Sequence, residues 1–65
     1  MRLVINGEER DCAAANIETL VAELNMKGDR IAIELNYRII PRAQWAGMVL
    51  ADGDRLEIVH FVGGG

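Results

Sequence analysis

Only one stretch of this 65-residue chain has the helical period at length. Ile17, Leu20, Val21 and Leu24 fall at i, i+3, i+4 and i+7, which places four apolar side chains on one face of a helix. Asn16, just before them, can accept a hydrogen bond from the first turn, and Glu18 suits the positive end of the helix dipole. Gly28, just past Met26-Lys27, supplies a residue able to end the helix in the left-handed conformation. The expectation is one amphipathic helix over residues 17 to 26. A helix of that length covers one face of one small sheet, so the remaining apolar segments must form that sheet.

They read as strands. Met1, Leu3 and Ile5 alternate with Arg2 and Val4, and Asn6-Gly7 is the dipeptide favoured in type I′ hairpin turns, so residues 1 to 12 read as a hairpin. Ile31, Ile33 and Leu35 alternate with Ala32 and Glu34, Asn36-Tyr37 makes a tight turn into Arg38-Ile39-Ile40, and Pro41 closes the segment. Arg42 to Ala46 can form one short helical turn carrying Trp45, and Asp52-Gly53-Asp54 turns the chain into the final run Leu56 to Val62. The order is β-β-α-β-β-β, an α+β domain whose mixed sheet meets the helix through Leu3, Ile5, Leu20, Leu24, Ile33, Leu56 and Ile58.

Sixty-five residues make one small domain, which buries about 60% of its unfolded surface and leaves little volume for an enclosed pocket. Seven basic residues against ten acidic ones give a net charge of −3, which removes the electrostatic attraction that dominates non-specific nucleic-acid binding. No apolar run approaches the roughly 18 residues a membrane span needs, and the opening residues carry no signal-peptide pattern. Cys12 is the only cysteine, so no internal disulfide and no cysteine pair for zinc can form, which fits a reducing cytoplasm.

The last run ends in Gly63-Gly64-Gly65. Glycine carries no Cβ, so such a tail can thread a narrow channel and present the Gly65 carboxylate inside another protein. Residues 1–62 read as the folded domain and 63–65 as a flexible tail with the reactive group at its end. Elsewhere the chain offers little chemistry of its own. There is no Gly-x-x-x-x-Gly-Lys-Ser/Thr loop for a nucleotide, and the single lysine, Lys27, lies beside the helix end. His60 is the only histidine and shares the inward phase of Leu56 and Ile58, with no nucleophile beside it in sequence. Cys12 has Asp11 next to it, which opposes thiolate formation, and reads as a small buried hydrophobe. Trp45 reads as a cap on an open end of the core, Pro41 as a strand terminator and Arg42 as a solvated or ion-paired side chain. The acidic residues are spread along the chain, which gives little support to acid–base catalysis by two carboxylates.

If Leu3, Ile5, Leu56 and Ile58 point toward the helix, then Val4, Val59 and Phe61 project from the opposite face. Together with Val62 they form an apolar surface leading to the glycine tail, the expected docking surface for protein partners.

The segment Leu35-Asn36-Tyr37-Arg38-Ile39-Ile40-Pro41-Arg42-Ala43-Gln44-Trp45, followed by Asp52-Gly53-Asp54-Arg55-Leu56 and the glycine tail, resembles the ThiS sulfur carriers of thiamine biosynthesis, with Pro-Arg-x-x-Trp its most telling part. The strand order looks like the β-grasp fold of ubiquitin-like proteins over essentially the whole chain. The resemblance implies that an E1-like adenylating enzyme uses ATP to convert the Gly65 carboxylate into an acyl-adenylate. A persulfide supplied through a cysteine desulfurase then leaves a thiocarboxylate at Gly65. Thiazole synthase would take up that sulfur. On this reading the chain is a co-substrate and not an enzyme, and it binds no cofactor or metal itself. Three alternatives share the tail: the small subunit of molybdopterin synthase, which is usually longer, a non-catalytic interaction module, and a ubiquitin-like modifier conjugated to lysines.

Overall fold

The computed structural model describes residues 1–61. It contains β1 (Arg2–Ile5), β2 (Glu8–Asp11), α1 (Ile17–Glu23), β3 (Ile31–Leu35), β4 (Arg38–Ile39) and β5 (Arg55–His60), with 3-10 turns at Gly28–Arg30 and Arg42–Gly47. The five strands form one sheet in the order β2-β1-β5-β3-β4. The last strand is therefore central, parallel to β1 and antiparallel to β3. This is the β-β-α-β-β-β order of the β-grasp fold expected from the sequence.

Both hairpins turn on a pair of left-handed residues. Asn6 (φ 51°) and Gly7 (φ 83°) join β1 to β2, the two positive φ values that a type I′ turn requires. Asn36 (φ 50°) and Tyr37 (φ 70°) do the same between β3 and β4, although a tyrosine is strained in this region. The second turn is held from β5. The Asn36 N–H donates to the Arg55 carbonyl at 2.7 Å, its Oδ1 accepts from the Arg55 N–H at 3.0 Å, and the Arg55 guanidinium lies 5.5 Å from the Tyr37 ring centre.

The helix begins as expected. Asn16 Oδ1 accepts from the Thr19 N–H at 2.8 Å, and Thr19 Oγ1 accepts from the Asn16 N–H at 3.3 Å, a reciprocal capping box. Its end differs from the expectation. The helix stops at Glu23, Asn25 is the left-handed residue (φ 59°), and the N–H groups of Asn25 and Met26 donate to the carbonyls of Ala22 and Val21 at 3.1 and 3.0 Å. That is a Schellman closure built on asparagine. Gly28 opens the following 3-10 turn instead, where a Cβ would stand 3.0 Å from Trp45 Cζ3 and 3.2 Å from Arg42 Nε. Close approach, and not helix termination, is why glycine suits this position.

Leu3, Ile5, Leu20, Ile33, Leu56 and Ile58 are buried as expected, while Leu24 is only half-buried against the core because the helix ends beside it. Trp45 seals one end of the core at 4% exposure and donates from Nε1 to the Ile40 carbonyl at 2.9 Å, satisfying its polar atom.

Candidate functional site

The candidate site is the outer face of β5 and the place where the chain leaves it. β5 is anchored to its end on the β3 side and as far as Ile58 on the β1 side. Toward β3, the register runs from Leu35 opposite Leu56 to Ile31 opposite His60, and beyond it the Phe61 N–H donates to the Arg30 carbonyl at 2.8 Å. Toward β1, backbone pairing runs out where the chain turns at Asn6-Gly7. The Asn6 side chain continues it, accepting from the Ile58 N–H at 2.7 Å and donating to the Ile58 carbonyl at 3.2 Å. The stalk carrying residues 62–65 is thus held in place up to Phe61. Val62, Gly63, Gly64 and Gly65 themselves lie outside the described residues.

On the face turned away from the helix, Val59 stands opposite Ala32, Glu57 opposite Glu34, and Glu34 opposite Ile39. Val59 and Phe61 are 58% and 57% exposed. Val4 is half-buried and pairs with Arg55, toward the start of β5, so it stands apart from Val59 and Phe61. Ile39, 74% exposed, extends the apolar surface on the other flank, where it lines with Ala32 and Phe61 a shallow depression of about 340 Å³. Sequence reasoning placed Ile39 in a strand but gave it no face. The two-residue Asn36-Tyr37 turn was the available signal, since it fixes Ile39 opposite the outward Glu34.

The other singled-out side chains fall elsewhere. His60 keeps the inward register opposite Ile31 but is exposed, because it is the last paired residue of β5. Cys12 is buried, with Sγ 3.9 Å from the Arg10 carbonyl, and burial followed by the Glu23 carboxylate pushes its thiol pKa above the ordinary value. That carboxylate is held by the N–H groups of Ala13 and Ala14, at 3.2 and 2.9 Å. Pro41 precedes the 3-10 turn that carries Trp45, and Arg42 packs its side chain beside Gly28. Among the described residues no helix is long and apolar enough to cross a membrane.

A mixed five-stranded sheet with one main helix, and a central last strand leading to the chain's final residues, defines a ubiquitin-like β-grasp domain. The model of the ThiS family matches residues 3–65. The chain belongs to the ThiS family. It is 30% identical over 66 aligned positions to the sulfur carrier protein ThiS of Escherichia coli, with all of both chains covered. The crystal structure of the thiamine biosynthesis protein ThiS from Geobacter metallireducens superimposes with a TM-score of 0.85 at 29% identity, again over the whole of both chains. The chain is also 47% identical along its full length to a thiazole synthase of Paramagnetospirillum magneticum and 33% identical to one of Magnetococcus marinus, and it spans 20% of the length of each. In those two proteins a segment similar to this entire chain is part of the thiazole synthase polypeptide.

Proposed function

We propose that this chain carries sulfur on the Gly65 carboxylate for formation of the thiazole of thiamine. The observation that carries this reading is the family match, which runs through residue 65 and so includes Gly63, Gly64 and Gly65. A carboxylate is a poor electrophile, so its oxygen first attacks the α-phosphorus of ATP, releasing pyrophosphate and giving an acyl-adenylate with AMP as leaving group. A persulfide from a cysteine desulfurase then displaces AMP to give an acyl disulfide, and a thiol or other two-electron reductant cleaves the S–S bond to leave the thiocarboxylate. ATP and the adenylating machinery belong to an E1-like partner, and the reaction takes place in the cytoplasm. Thiazole synthase accepts the sulfur and regenerates the carboxylate, a role supported by the two thiazole synthases that contain a similar segment. Val59, Phe61 and Val62, with Val4 further off on the same sheet face, belong to the surface that docks these partners while Gly63 and Gly64 thread the tail.

The test is to incubate the purified chain with ATP, its adenylating enzyme, a desulfurase and cysteine, and to record the intact mass. A gain of about 16 Da, oxygen replaced by sulfur, is expected, and is lost on deletion of Gly65. An unchanged mass with demonstrably active partners overturns the proposal.

A further inference from the structure

Asn6 does more than turn the chain. The left-handed φ of 51° at this position is open to asparagine, aspartate and glycine, so the turn alone does not select an amide. The amide reaches across to β5. Its Oδ1 accepts from the Ile58 N–H at 2.7 Å and its Nδ2 donates to the Ile58 carbonyl at 3.2 Å, while the Asn6 backbone N–H donates to the Leu56 carbonyl at 2.9 Å. Of the three residues the turn accepts, only asparagine carries a donor and an acceptor side by side at that reach. β1 ends at Ile5, so without the amide the β1 side of β5 would be paired only as far as Leu56. Ile58 and the residues after it would hang from β3 alone, through the register from Ile33–Ile58 to Ile31–His60 and the Phe61 N–H bond to the Arg30 carbonyl.

A strand paired on one side only follows the larger twist of a two-stranded ribbon, whereas one paired on both sides takes the smaller twist of the wider sheet. Phe61 lies three residues beyond Ile58, about 10 Å of strand, so a change of twist at Ile58 is carried to the point where residues 62–65 begin. Reaction at the chain end depends on that direction, because a reacting group misplaced by about 1 Å can lose about a hundredfold in rate. We propose that Asn6 is a positioning residue for the reaction at Gly65. Its side-chain amide takes the place of the next residue that β1 lacks, and fixes the direction in which β5 delivers the chain end to the adenylating enzyme. Asn6 acts through Ile58 and not on the carboxylate itself. Its effect therefore falls on the rate within the bound complex, separate from the affinity that Val59 and Phe61 supply on the outer face. This inference rests on the proposal that the Gly65 carboxylate is adenylated, and it adds the residue that aims it.

The test is a single-turnover measurement with the full chain, ATP and the adenylating enzyme encoded in the same genome, reading pyrophosphate released against chain concentration. Asn6→Gly keeps the turn and removes the amide. At a temperature where this variant is fully folded, its rate at saturating chain should fall about tenfold while half-saturation stays within about twofold of wild type. Asn6→Asp keeps the turn and the acceptor but has no N–H for the Ile58 carbonyl, and its rate should fall between the two. Asn16→Ala, which costs stability by removing the cap of α1, should react at the wild-type rate. The same tenfold loss in Asn16→Ala, a wild-type rate in Asn6→Gly, or a loss confined to half-saturation overturns this inference and leaves the sulfur-carrier reading intact. A wild-type chain that a demonstrably active enzyme does not adenylate overturns that reading, and this inference with it.

Discussion

The side-chain amide of Asn6 stands against Ile58 as a peptide group would, accepting from its N–H at 2.7 Å and donating to its carbonyl at 3.2 Å. One residue thus makes the type I′ turn and extends the pairing of β5 beyond the end of β1. Asn6→Gly separates the two roles, because glycine keeps the turn and removes the amide. Two part-buried hydrogen bonds are lost, so unfolding free energy should fall by about 1–2 kcal/mol in urea titration. The amide of Ile58 should exchange with solvent faster than that of Ile33 on the next strand. Equal protection in variant and wild type would remove the clamp from this account.

Gly28→Ala puts a methyl carbon 3.0 Å from Trp45 Cζ3 and 3.2 Å from Arg42 Nε. The arginine can move. The indole cannot, because it is buried and tied to the Ile40 carbonyl at 2.9 Å. Reduced freedom of the unfolded chain favours alanine by about 0.4–1 kcal/mol, and overpacking opposes it by about 1–3 kcal/mol. A net loss of about 1 kcal/mol is expected, with a shift in the emission of the single tryptophan. A more stable variant would show that the indole yields.

The thiol of Cys12 should react slowly with iodoacetamide in the folded protein, since burial and the nearby Glu23 carboxylate both disfavour the thiolate. Its pKa is raised from the ordinary 9.0, so the folded chain keeps a proton that the unfolded chain releases first as pH rises. The preference for the folded state is therefore complete below about pH 9 and shrinks above it. Denaturation midpoints of the wild type and Cys12→Ser, measured from pH 7 to 11, should differ in slope only at the alkaline end. Parallel profiles, or labelling at the rate of free cysteine, would contradict this assignment.

Phe61 is more than half exposed and is the last described residue before the tail. Phe61→Asp should leave the melting temperature near that of wild type and raise the KM of the adenylating enzyme for the chain about tenfold or more, with a smaller effect on kcat. An unchanged KM with intact fold would move the docking surface away from this flank.

Much of the fold was written in local patterns. Asn6-Gly7 states its turn type because few residues other than Asn, Asp and Gly accept two successive positive φ values, and Asn16 with Ile17, Leu20 and Val21 states the start and buried face of α1. The helix end was misread. A glycine that terminates a helix and a glycine that makes room for an indole look alike in sequence, and only the approach of Trp45 to Gly28 tells them apart. The parallel pairing of Val4 with Arg55 left no local trace, since a register between strands some fifty positions apart is set by the assembled core. Of the candidate surface, Val59 and Phe61 followed from strand alternation. Ile39 and the Glu34–Glu57 pair needed the register between β3 and its two neighbours. The residues on which the sulfur chemistry is proposed, Gly63 to Gly65, lie outside the described part of the structure.

The middle position of the strand made last bears on how the molecule is born. As a ribosome extends the chain, β1 with β2 and β3 with β4 can form as separate hairpins, but each keeps an unsatisfied inner edge until residues 55 to 60 emerge and slide between them. The closing step joins distant parts of the chain, a kind of pairing that forms more slowly than the local hairpins. An incomplete or misassembled chain has no seated β5, and so lacks the strand that holds Phe61 at the end of the sheet, which makes the outer face at Val59 and Phe61 a product of complete assembly.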